Sequence, residues 1–410
     1  MNLARAFAAM HATRDDALSH PVAVGYVALT VLIMAYSALF PVVPILVFLV
    51  LWLSLLLVKG PQLLRPTRAT LWVMALPALS MLSSLWSDYP GRTLYLGAAF
   101  MGMMLCVLII ARTVRFAALA QGLVLGCVAT LLITLYANIY DVDFTSGTVA
   151  LIGYFGSKNT VGFVAQVGVI TSMVLLISSH GWVRRCLLGL VPLLFSAGCL
   201  YASRSSSSLV SLAVVMGAML ALYALVRIKP ARRWAAIRWA GLLMAAMLVL
   251  GTQLGGQDAL LKALGKDATL TGRTYLWQEG MQIGLERPLL GHGYGAFWVQ
   301  GQPQAERYWR EFHIASRGGF HFHSSFVQSF VDLGAAGLAV TALLIVLNLY
   351  GTLRLALRQD MAPEAALLVG FAVMFAVRAL VEVDAGGPFG LGVLLFYSIL
   401  PRLALTRQEP

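Results

Sequence analysis

Residues 321–350 read His321-Phe-His-Ser-Ser-Phe-Val-Gln-Ser-Phe-Val-Asp-Leu-Gly-Ala-Ala-Gly-Leu-Ala-Val-Thr-Ala-Leu-Leu-Ile-Val-Leu-Asn-Leu-Tyr350. A polar, histidine-bearing segment turns into a continuous apolar run of the length that crosses a bilayer as a helix, roughly 20 residues. Similar runs recur along the whole chain, at about 21–39, 41–58, 70–86, 93–111, 116–137, 160–179, 186–202, 206–226, 234–253, 325–353, 364–382 and 386–403. They are apolar throughout instead of alternating with period two, so helices are favoured over a β-barrel. Composition agrees: 60% of the residues are hydrophobic and 11% charged, against roughly 25% charged in soluble proteins. The expected fold is an all-α integral membrane protein of about twelve transmembrane helices.

The longest non-membrane stretch runs from about Leu254 to His323 and divides the chain into spans one to nine (1–253), a large outer loop with short helices (254–323) and spans ten to twelve (324–410). Basic residues collect on the cytoplasmic side of membrane proteins. With both termini inside, most of the 29 Lys+Arg fall in the inner segments, among them Lys59, Arg65, Arg112, Arg115, Arg184, Arg185, Arg232, Arg233, Arg354 and Arg358. The net charge of +12 is thus mainly a topology signal, and nucleic acid is not an expected partner. The expected location is the bacterial inner membrane, multi-pass, with the loop periplasmic. Residues 1–20 lack the apolar core and small-residue cleavage site of a signal peptide, so the first span is the expected insertion signal. Cys106, Cys127, Cys186 and Cys199 all lie in apolar spans, which leaves no loop disulfide. No inverted repeat is evident, which weakens a transporter reading.

Within the loop, Asp258 and Thr271 are candidate caps for helices at about 258–264 and 272–286, the second closed by Arg287-Pro288. Pro303 suits the first turn of a third helix to about Phe312. Arg273 and Trp277 are four apart and share a helix face. Tyr294, Phe297, Trp298, Tyr308 and Trp309 make the loop aromatic, which suits either sugar faces or interfacial anchoring.

Cations on the outer side run against the charge bias. Arg92 follows span three, Lys158 and Asn159 precede span six, Arg204 follows span seven, and Arg378 lies inside span eleven, four residues before Glu382. Arginine forks match phosphate oxygens and lysine supplies a point charge, so Arg204, Lys158, Arg273, Arg92 and Arg287 are candidate anion ligands. A charge within the bilayer is costly; Arg378 either contacts substrate or pairs with Glu382 or Asp384. His323, at the mouth of span ten, is a candidate general base, with His321 two residues away. No carboxylate pair and no metal-ligand spacing stands out, so neither cofactor nor metal is expected.

Four stretches then combine: Gly-Ser-Lys158-Asn159-Thr-Val-Gly162; Ser203-Arg204-Ser; Leu270-Thr-Gly-Arg273-Thr-Tyr-Leu-Trp277 with Arg287-Pro-Leu-Leu-Gly-His292-Gly-Tyr-Gly; and His323-Ser-Ser-Phe-Val-Gln-Ser-Phe-Val-Asp-Leu-Gly334. In this order around one large loop, they resemble the bacterial O-antigen ligase and polysaccharide polymerase superfamily, and most closely its exopolysaccharide polymerases. The last motif usually carries Asn after the histidine in that family; here Ser324 stands in its place. The resemblance implies a GT-C-like membrane glycosyltransferase acting in the periplasm on an undecaprenyl-pyrophosphate-linked glycan donor. The reaction would be inverting and metal-independent, with His323 as base and Arg204 and Arg273 on the pyrophosphate. The acceptor would be a second lipid-linked repeat unit for a polymerase or lipid A-core for an O-antigen ligase, with membrane lipid around it and a chain-length regulator protein as a further partner. A lipid-linked sugar flippase would need ionisable groups near mid-membrane, where the sequence offers mainly Arg378.

Overall fold

The computed structural model describes residues 17–37, 42–142, 148–233 and 272–406, with 235, 236, 238, 239 and 242 between the last two. Among them, eight helices are long and apolar enough to cross a membrane. These are α3 (Arg68–Leu82, continued by a turn to Leu85), α4 (Pro90–Thr113), α5 (Phe116–Ala137), α6 (Lys158–Ser178), α7 (Trp182–Ala202), α8 (Ser206–Leu225), α11 (Ser325–Arg358) and α12 (Pro363–Val381). Three shorter apolar helices accompany them: α1 (His20–Ala35), α2 (Val43–Lys59) and α13 (Leu391–Thr406). Each coincides with an apolar run read from the sequence. The run at 234–253 and the helix read at 258–264 lie largely or wholly outside the described residues. α9 (Arg273–Glu286) and α10 (Pro303–Glu311) stand between α8 and α11. α9 begins behind Gly272, a left-handed residue without a side-chain cap; the cap expected from Thr271 lies outside the described residues. One short hairpin, β1 (Tyr140–Val142) against β2 (Val149–Leu151), is antiparallel with Asp141 opposite Ala150.

Helices in a membrane gain little from apolar burial against one another, so small residues that allow close approach decide the packing. On α5, Gly122 and Gly126 lie one turn apart against α1; a Cβ on them would come within 2.5 Å of Val27 and 2.6 Å of Val31. α6 is buried around nearly its whole circumference, as an all-apolar helix at the centre of a bundle must be. The four cysteines are free thiols, three of them buried.

The connections sort to two ends. At one, Arg112 donates to the carbonyls of Gln62 (2.5 Å) and Arg65, Arg233 pairs with Asp360 at 3.2 Å, and Arg402 approaches Glu364 at 3.7 Å. At the other lie residues 86–92, 203–205, 272–324 and 382–390, joined by contacts such as Trp86 Nε1 to the Leu290 carbonyl (2.9 Å) and Tyr294 Oη to the Gly386 carbonyl (2.9 Å). A second core sits at this end: Leu276, Ile283, Phe297, Tyr308, Trp309 and Phe322, with Trp298, Phe312 and Phe320 packed on it. The aromatic rings of the loop therefore mainly pack on one another, where the sequence suggested sugar faces or interfacial anchors.

α11 is broken at Gly334 (φ 62°, ψ −156°). The segment from Pro288 to Gly293 fills the break. His292 N–H donates to the Val331 carbonyl (3.0 Å) and Gly293 N–H to that of Asp332 (2.9 Å). Ala335 N–H donates to Pro288 (2.8 Å) and Ala336 N–H to Leu289 (3.2 Å). These are the donors and acceptors that an unbroken helix would pair with each other at i→i−4. Buried backbone polar groups must be satisfied, and an apolar environment makes this stricter. The Arg287–Gly295 motif is thus a backbone plug for a broken span, which fixes the nine-residue stub Ser325–Leu333 to the loop.

Candidate functional site

The break matters because the stub carries His323 at its head. His323 adopts φ 50°, a conformation uncommon for a non-glycine residue and concentrated at functional positions. Arg204, in the turn between α7 and α8, has the same sign of φ (50°). Around them four helix N-termini converge: α6 at Lys158 and Asn159, α8 at Ser206, α9 at Arg273 and α11 at Ser325.

Their meeting point is Glu382, just beyond α12. Its Oε1 accepts from Arg273 Nη2 (2.9 Å) and Ser207 Oγ (3.2 Å), while Oε2 faces His323 Nδ1 at 3.7 Å. Ser325 Oγ donates to the Glu382 carbonyl (2.9 Å), and Arg273 Nη1 donates to the Val381 carbonyl (2.8 Å). The Glu382 side chain keeps 5% of its surface exposed and His323 23%. Burial by itself would raise the Glu382 pKa. The facing His323 and the guanidiniums of Arg273 and Arg378 outweigh that and hold the carboxyl well below the usual range. Sequence reading considered Glu382 only as a partner for Arg378. The signal available was a carboxylate at the end of an apolar span, which must find a cation; the one it found lies 109 residues away.

Arg378 is buried and bound elsewhere, to Asp384 through Nε (2.5 Å) and Nη2 (3.0 Å) and to Ser208 Oγ through Nη1 (2.8 Å). Asn159 Oδ1 accepts from Ser205 Oγ (3.0 Å), tying α6 to the head of α8. The Arg204 guanidinium is exposed, 4.2 Å from the Tyr201 ring, and makes no hydrogen bond or ion pair among the described residues.

His321 and His323 have ring centroids 4.3 Å apart. His321 Nδ1 accepts the backbone N–H of His323 (3.0 Å), so its proton sits on Nε2. Burial first, and then the neighbouring His323, push the His321 pKa down to about 3; it stays neutral across physiological pH. His323 Nδ1 is buried without a hydrogen-bond partner, since 3.7 Å is too long for one. His321, His323 and Glu382 are close enough together to hold a cation. Yet Glu382 Oε1 is already engaged by Arg273 and Ser207, and two guanidiniums supply positive charge in the same place.

Two predicted anion ligands stand apart. Arg287 pairs with Asp88 at 2.7 Å, and Arg92 Nε donates to the Gly295 carbonyl (3.1 Å). Asp88 also meets His292 Nδ1 at 3.0 Å, while His292 Nε2 bonds the Ile283 carbonyl at 3.0 Å. This group braces the loop against the α3–α4 connection, and none of its contacts reaches Glu382. Trp277 packs on the aromatic core with its indole nitrogen buried and unpartnered.

The chain belongs to the O-antigen ligase family, whose profile matches residues 190–342. That stretch contains Arg204, Arg273 and His323. Over 385 residues, 93% of this chain and 88% of the relative, it is 36% identical to the exopolysaccharide production protein ExoQ of Rhizobium meliloti (strain 1021).

Proposed function

We propose that this protein polymerises undecaprenyl-pyrophosphate-linked oligosaccharide repeat units at the periplasmic face of the bacterial inner membrane. The observation that carries the reading is the meeting of Arg273, Arg204 and His323 at one end of the bundle, from segments far apart in sequence. The two guanidiniums, with Lys158 at the head of α6, hold the donor pyrophosphate, and the converging helix N-termini favour its charge. His323 takes the proton of the acceptor hydroxyl on Nε2. The acceptor oxygen attacks the anomeric carbon with inversion, the sugar–phosphate bond breaks, and undecaprenyl pyrophosphate leaves with its charge held by the arginines. No nucleotide takes part. The relative named for exopolysaccharide production supports a lipid-linked repeat as acceptor; the family description supports the second reading, ligation to lipid A-core.

The test is a chromosomal His323→Ala substitution with the protein quantified in membranes. Loss of polymer, at a cost of roughly 10²–10⁴-fold in rate, is expected. Wild-type polymer from that variant would remove His323 as the base. The accumulating product separates the two readings: single lipid-linked repeats for a polymerase, long unattached polymer for a ligase.

A further inference from the structure

Glu382 is placed to do more than neutralise Arg273. Its two oxygens divide between two groups of different purpose, Oε1 toward Arg273 and Ser207 and Oε2 toward His323 Nδ1. Other described carboxylates nearby are committed: Asp384 is bound twice by Arg378, and Asp332 accepts from Gln328 (3.1 Å). His321 spends its Nδ1 on the His323 backbone N–H.

Resting on the reading of His323 as base, we propose that Glu382 is its positioning carboxylate: it holds the proton on Nδ1, leaves Nε2 free for the acceptor hydroxyl, and stabilises the imidazolium that forms. A nucleophile or base oriented by a third group is a recurring catalytic arrangement. The present gap of 3.7 Å closes to hydrogen-bonding distance by a shift of about 1 Å. Donor binding supplies an occasion for that shift. A pyrophosphate competes with Glu382 for Arg273, and a carboxylate relieved of a guanidinium attracts the imidazole more strongly. Donor capture and activation of the base are then coupled through one side chain.

The test uses the full chain in phospholipid vesicles, with lipid-linked repeat units isolated from a strain deleted for this protein as both donor and acceptor. Glu382→Gln keeps an acceptor for Arg273 and Ser207 but removes the charge opposite His323. Expected is a fall in kcat of about 10²-fold with the donor KM changed by less than about threefold. The pH profile gives the readout that a merely structural role leaves unmoved. A facing carboxylate favours the imidazolium form of the base, so its removal moves the acid limb of kcat to lower pH. The other groups facing this point, Arg273, Arg378, Asp384 and His321, are intact in the variant. Glu382→Asp, with the charge drawn back, shifts the limb less. An unmoved limb in whichever of the two variants accumulates, or a Glu382→Gln kcat within about threefold of wild type, overturns the proposal. Should His323→Ala be dead while Glu382→Gln is normal, the positioning role fails and the base stands; activity in His323→Ala sinks the reading beneath both.

Discussion

Gly334→Ala adds one methyl group, and the structure says where it goes. A Cβ at Gly334 lies 2.3 Å from the Leu289 carbonyl carbon and 2.4 Å from the Leu290 nitrogen. Both are backbone atoms that no rotamer change can move. The φ of 62° adds roughly 1–2 kcal/mol for a residue with a Cβ. The relief available is to straighten α11. Ala335 and Ala336 N–H would then pair with the Val331 and Asp332 carbonyls in a regular helix, and residues 288–293 would lose the four hydrogen bonds that join them to α11, keeping those of Leu290 and His292 to Trp86, Asp88 and Ile283. At about 1 kcal/mol each, that is ~4 kcal/mol of loop anchoring, exchanged for only two helical bonds. The segment comes away from α11, the stub carrying His323 turns with the straightened helix, and the base leaves Glu382. A displacement of even about 1 Å can cost 10²-fold in rate. The assay pairs polymer quantification with limited proteolysis of intact vesicles. Expected are normal membrane abundance, new cleavage between residues 287 and 320, and at least about 10²-fold less polymer. Wild-type polymer together with a protected loop would refute the plug-in-the-break account.

Two further outcomes follow from the same geometry. Arg273→Lys retains a charge but loses the fork that spans the Val381 carbonyl and Glu382, so kcat/KM for the donor should fall at least about tenfold; an unchanged value in a vesicle assay would mean that Arg273 acts as a point charge only. His321 is held neutral when folded and is protonated when unfolded, so protons bind preferentially to the unfolded chain below its ordinary pKa of about 6.5, and stability falls as pH falls from there toward about 3. Between pH 6.5 and pH 5, before the Glu382–Arg273 pair is affected, the loss is about 2 kcal/mol; detergent-solubilised wild type should melt lower at pH 5, and His321→Asn should flatten that dependence.

Much of the architecture was legible in the sequence because each span is decided locally: an apolar run of sufficient length has few options in lipid other than a helix. The runs at 116–137, 206–226 and 364–382 therefore coincide with α5, α8 and α12 almost to the residue. Arg204, Arg273 and His323 also stood out as candidates, since polar groups at the ends of the apolar runs are few. Their partners were not. Which carboxylate Arg273 meets depends on how α9 packs against the end of α12, and no periodicity encodes a contact across 109 residues. The same limit hid the partners of Arg287 and Arg92, Asp88 and the Gly295 carbonyl, because a cation's position along the chain says nothing about what faces it. His323 is preferred to His321 in the sequence only by its place nearer the span; the bundle separates them chemically, engaging a ring nitrogen of His321 with backbone and setting His323 Nδ1 opposite Glu382. The break at Gly334 lay hidden inside an apolar run, for its reason is a distant loop segment that supplies the missing hydrogen bonds. Local composition was enough for the membrane helices and for the cations at their ends, since both follow from the transfer energies of single residues. Which cation, carboxylate and imidazole face one another came from the packing of α9 and α11 on the end of α12, which brings together residues far apart in the chain.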